Sequence, residues 1–155
     1  MNKEFIPYEQ ALALKELGFD ESCMYAWCIT LEHRIKYDGK MSLKTDGNPF
    51  GQFYKGKSFN GKYSPNKNKI QCSAPTFSQA FRFFREKYNI NGHYWDCSTS
   101  SGPWCFTITN LQNNLTGGSL IVERCKFKTP EEAEIECLKT LIEIIKANNK
   151  NEEQK

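Results

Sequence analysis

The sequence predicts an α+β fold, a small antiparallel β-sheet packed with about three α-helices. Three features carry that prediction. Apolar residues recur at helical spacing in separate segments, other segments alternate apolar and polar residues with period two, and stretches rich in glycine, asparagine and proline divide them.

The first helix is expected over Tyr8 to Leu17, with Pro7 at its start, where a missing amide donor costs little. Gly18 is its natural stop, and Phe19 can fold back on Leu14, the apolar contact of a Schellman ending. From Tyr25 to Tyr37 the odd positions are apolar or aromatic apart from His33, while Thr30, Glu32, Arg34 and Lys36 fall on even ones. That pattern predicts a long strand with one solvated face. Asp38-Gly39 then signals a hairpin, and a three-residue loop, Asp38 to Lys40, keeps Met41 and Leu43 on the apolar face with Tyr37 and Ile35.

Residues 44 to 69 interleave glycine, lysine and aromatic side chains without clean periodicity and read as a basic, aromatic-rich loop insertion. The next helix follows Pro75, with Thr76 and Gln79 as a capping box and Phe77, Ala80, Phe81, Phe84 and Tyr88 on its buried face. Phe83 lies off that face, and either packs on a second element or is available for stacking. A β-hairpin is expected from His93 to Cys97 and Trp104 to Thr109, then a strand from Ser119 to Phe127. The last helix starts at the capping box Thr129-Pro130-Glu131-Glu132 and runs to about Lys146.

At 155 residues the chain fits one domain, 1–147, followed by a polar tail, 148–155, expected to fray. No apolar run reaches the length of a signal peptide or a membrane span, so the expectation is a soluble chain without membrane partners. The seven cysteines are odd in number and scattered, which favours reduced, structural thiols over a disulfide framework. The net charge is only +3, yet nine Lys/Arg between Arg34 and Lys69 face only Asp38 and Asp46. A basic middle between acidic ends suits either an anionic partner or a solvated lysine-rich loop.

Catalytic and metal-binding patterns are missing from the sequence. There is no Cys-x-x-Cys, no pair of histidines one turn apart, no nucleophile elbow and no phosphate-binding glycine loop; His93 near Cys97 is the one conceivable nucleophile and base. No cofactor or metal is therefore expected, and binding is favoured over catalysis. Ser78, Arg82 and Arg85, at i, i+4 and i+7, form a polar stripe beside the buried face of their helix. Arginine's planar fork suits phosphate, although the same residues could instead pair with acidic neighbours. Tyr94 and Trp95 on the hairpin, and Phe53, Tyr54, Lys55 and Lys57 in the basic loop, add rings and cations of the kind that bind nucleobases and phosphates.

Three stretches, 7–21, 74–88 and 131–146, resemble a family of small proteins of Bacteroidota phages and prophages, a family with no established activity or catalytic residues to carry over. The resemblance covers the three helices, and implies a protein of the host-cell cytoplasm whose function could be to counter host defence. Joined to the aromatic and basic residues, it implies sequestration of a nucleotide-derived small molecule, of the cyclic nucleotide or cyclic ADP-ribose class, without catalysis. The alternatives are a nucleic-acid-binding accessory protein using the loop lysines, or an interaction module that blocks a host protein; a homo-oligomer is compatible with each.

Overall fold

The computed structural model describes residues 4–23, 25–29, 42–44, 69–99, 102–111 and 119–153. Its architecture is α+β, in two compact units, Met1–Thr76 and Phe77–Lys155.

In the first unit, helix α1 (Tyr8–Glu16) follows Pro7, which occupies the cap position with extended backbone. Its end is a Schellman motif: the Gly18 amide donates to the Lys15 carbonyl at 3.0 Å and the Phe19 amide to the Leu14 carbonyl at 2.9 Å. Gly18 carries the positive φ of 86° that this geometry needs. Leu14 and Phe19 are both buried, as the apolar half of that motif requires. Strands β1 (Tyr25–Ile29), β2 (Ser42–Lys44) and β3 (Lys69–Ala74) form an antiparallel sheet in the order β2-β1-β3. Helix α1 packs on β3, and Phe5, Ile6, Ala11, Leu14, Phe19, Cys72 and Ala74 are buried around that contact. Trp27 satisfies its indole N–H on the Ile6 carbonyl at 3.3 Å and meets the Tyr8 ring edge-on at 6.2 Å.

Two expectations change here. Leu43 pairs with Trp27, not with the Ile35 that a three-residue Asp38–Lys40 loop would require. Odd still pairs with odd within Tyr25–Ile29 while the register moves; the rest of the expected strand, 30–37, and the hairpin dipeptide lie outside the described residues. Strand β3 has no counterpart in the sequence-based reading, although Ile70, Cys72 and Ala74 alternate as a strand should.

In the second unit, helix α2 (Phe77–Tyr88) leads into strands β4 (Ile90–Thr99), β5 (Gly102–Asn110) and β6 (Ser119–Phe127), an antiparallel meander in that order, and then helix α3 (Pro130–Glu153). Asn89, in the left-handed region at φ 54°, ends α2 and turns the chain into β4. Both helices pack on the sheet and on each other. Their shared core holds Phe81, Phe84, Phe106, Ile108, Cys137, Leu138, Leu141 and Ile145. Gly92 of β4 lies under both helices: a Cβ there would come within 2.8 Å of Cys137 Sγ, 2.9 Å of Leu141 Cδ1 and 3.3 Å of Phe81 Cε1.

Helix α3 opens on the expected Thr129 cap, with Glu132 reaching back one residue further than a capping box does. The Glu132 amide donates to Thr129 Oγ1 at 3.2 Å, and Glu132 Oε2 accepts from the Lys128 amide at 2.9 Å. The helix continues past Lys146, where its apolar stripe stops, to Glu153. No glycine or proline interrupts residues 147–153, so the polar end propagates as helix instead of fraying. The hairpin also exceeds its expected bounds, since Thr99 still pairs with Gly102.

The expectation of reduced cysteines is overturned at one pair. Cys105 and Cys125, directly opposite each other on β5 and β6, form a disulfide. Their sequence positions give no hint of this, because only the strand register makes them neighbours. Cys23, Cys72 and Cys137 are buried thiols, as expected. Burial pushes Cys23 and Cys137 up to about 12, so both stay protonated and serve as packing groups.

Candidate functional site

Helix α2 separates a buried side from a charged one. Ala80, Phe81, Phe83 and Phe84 are buried, whereas Ser78, Arg82 and Arg85 are all exposed. The predicted polar stripe therefore exists as a surface feature. Phe83 belongs with the buried rings, meeting Phe84 and Tyr88 edge-on at 5.5 and 5.7 Å, which leaves it unsuited to stacking on a ligand. Lys87 adds a third cation to the last turns of α2, its Nζ lying 5.3 Å from the Phe83 centroid and 5.4 Å from that of Tyr88.

Position along the helix matters to the electrostatics. Arg85 and Lys87 occupy the C-terminal turn, where the helix dipole is negative and favours cations. An anion at this end gains from the guanidinium groups but nothing from the dipole. Bidentate contact with Arg82 and Arg85 is the chemistry available to it.

The two aromatic candidates on β4 do not act together. Successive residues of a strand point to opposite faces. Tyr94 shares the helix-facing side with Gly92, its ring 6.2 Å from Trp104. Its hydroxyl is hydrogen-bonded to Glu134 at the start of α3. Burial, then the negative charge of Glu134, push the phenol above its ordinary 10.0. Burial also lifts the Glu134 carboxyl above 4.5, opposed by the hydrogen bond from Tyr94 and assisted by Glu131. Trp95 lies on the other face, opposite Cys105 across the strand pair. Both rings keep about a third of their surface in solvent, 36% for Tyr94 and 37% for Trp95. Phe53, Tyr54, Lys55 and Lys57 lie outside the described residues.

His93 Nδ1 is 3.0 Å from the hydroxyl Oγ1 of Thr107, the residue paired with it across the strands. Cys97 is instead brought to the Cys105–Cys125 pair, with all three sulfurs within 4.8 Å of one another. Spacing in sequence could not have found this cluster, because each cysteine comes from a different strand.

Compared with models of protein families, with curated proteins and with solved structures, the chain matches none. The fold and the sites thus define the protein on their own terms: an α+β chain with a cationic helix stripe and a three-cysteine cluster. No helix among the described residues is long and apolar enough to cross a membrane.

Proposed function

We propose that this chain is a non-catalytic binding protein for a nucleotide-derived signal of the cyclic nucleotide or cyclic ADP-ribose class, which it sequesters as a phage-type anti-defence protein. The observation that carries the reading is the joint exposure of Ser78, Arg82 and Arg85 on a helix whose opposite side is filled with aromatic core. Sequestration asks only for affinity. Two guanidinium groups one turn apart can grip phosphate oxygens in a fork, and Ser78 can donate a further hydrogen bond.

Isothermal titration of the full chain against cyclic nucleotides and ADP-ribose isomers tests the proposal. One panel member is expected to bind at micromolar concentrations or below. Arg85→Ala then weakens it by about tenfold or more, the worth of one charge-assisted hydrogen bond. If no panel member binds, or if binding is indifferent to both Arg82→Ala and Arg85→Ala, the proposal fails.

A further inference from the structure

The cysteine cluster belongs to a different part of the molecule and has its own chemistry. Adjacent strands are spaced about 4.8 Å apart, so residues on β4 and β6, with β5 between them, are separated by roughly twice that distance. Yet the sulfurs of Cys97 on β4 and Cys125 on β6 approach within 4.8 Å of each other. The outer two side chains must therefore lean inward over the middle strand.

The backbone shows how. The β5–β6 register shifts between Ile108 and Thr109, away from the cysteines. Beside them, the β4–β5 register shifts between Asp96 and Thr99 and the β5–β6 register between Trp104 and Cys105, each shift inserting one extra residue into the outer strand. Both bulges carry a non-glycine residue with positive φ next to a cysteine: Ser98 at 47°, after Cys97, and Lys126 at 90°, after Cys125. Bulges of this kind re-aim a side chain. The first is held by Asp96, whose Oδ1 accepts from the Ser98 amide at 2.8 Å and from the Ser98 hydroxyl at 3.0 Å. The disulfide uses two of the three sulfurs, and Cys97 brings a third to the same place.

We propose that Cys97, Cys105 and Cys125, once the disulfide is reduced, bind one thiophilic d10 cation of the Zn2+ and Cd2+ class through three thiolates. Reduction by a dithiol delivers two electrons and two protons to the Cys105–Cys125 bond, giving two thiols and converting the dithiol to its own disulfide. Binding then displaces three thiol protons in favour of three metal–sulfur bonds. With metal–sulfur bonds near 2.3 Å the sulfurs of such a site stand about 3.8 to 4.0 Å apart, so Cys105 and Cys125 separate from bonding distance on reduction while Cys97 already lies within 4.8 Å of both. Three thiolates and no other His, Cys, Asp or Glu in the group, among the described residues, leave a fourth position for water or a ligand. The metal-bound form alternates with the disulfide form, so metal and oxidation compete for the same sulfurs.

The test is a titration of the full chain, reduced with dithiothreitol and desalted without oxygen, with Cd2+, following thiolate-to-cadmium charge-transfer absorption. One equivalent is expected to saturate the band. The disulfide form gives no such band, and Cys97→Ser weakens binding by on the order of a hundredfold. Cys125→Ser does the same, and provides a second variant should either one fold poorly by circular dichroism. Asp96→Ala, which releases the bulge without removing a ligand, weakens binding less, while Cys137→Ala leaves it unchanged. No saturable band, or a band undiminished in both Cys97→Ser and Cys125→Ser, overturns the proposal.

Discussion

Gly92→Ala probes the contact that sets α2 and α3 against the second sheet. The new methyl carbon would stand 2.8 Å from Cys137 Sγ and 2.9 Å from Leu141 Cδ1, where carbon–carbon contact normally begins at roughly 3.5 Å. Neither neighbour can withdraw cheaply: Cys137 and Leu141 are both 0% exposed, and a cysteine sulfur moves only by changing its one rotamer. Overpacking of this kind costs about 1 to 3 kcal/mol, and the reduced backbone freedom of alanine in the unfolded chain returns about 0.4 to 1. The net expectation is a loss of about 1 to 2 kcal/mol, read as a lower urea midpoint in circular dichroism at unchanged slope. Adding Cys137→Ala removes the nearest obstructing atom, so the double variant should lose at least ~0.5 kcal/mol less than the two single losses combined. A Gly92→Ala protein as stable as the parent, or strictly additive losses, would refute the close-approach argument.

Two further outcomes follow from the start of α3. Thr129→Ala removes the oxygen that accepts from the Glu132 amide, and should cost about 1 kcal/mol in a thermal melt, with Thr129→Asp recovering most of it. Equal melting of Thr129→Ala and parent would show that the cap contributes nothing. Glu134→Gln should stabilise the chain at pH 7, because the folded environment disfavours the Glu134 charge. The sign is fixed by the raised carboxyl: the unfolded chain holds the charge more readily, so the parent is penalised at neutral pH. That penalty disappears as pH falls through the folded-state value to below the ordinary 4.5. Urea titrations at several pH values should therefore show the advantage of Glu134→Gln closing on acidification; an advantage that grew in acid would contradict it.

Most of what was legible in the sequence is local chemistry. Thr129-Pro130-Glu131-Glu132 announces the start of α3 and Gly18-Phe19 the end of α1, because the groups that satisfy a helix terminus lie within a few residues of it. Strand β6 falls on its expected residues, Ser119–Phe127. Register is another matter. Trp27 meets Leu43 across residues that no local pattern counts, and a shift by an even number preserves every apolar and polar alternation. The disulfide and the Cys97 approach are invisible for the same reason.

The two candidate sites differ in what their existence implies. The Ser78, Arg82 and Arg85 stripe requires nothing beyond an amphipathic helix, so its meaning rests wholly on whether an anion binds there. The cysteine cluster requires two backbone distortions, at Ser98 and Lys126, of a kind that costs about 1 to 3 kcal/mol each where the residue is not glycine. The Cys105–Cys125 bond gives a reason for the distortion beside Cys125. The one beside Cys97 lies outside that bond, and Asp96 holds it through the Ser98 amide. If Asp96→Ala weakens cadmium binding while Cys105–Cys125 still forms in the oxidised protein, the β4 bulge serves the metal site rather than the disulfide. Equal loss of both would instead make it a general support of the hairpin.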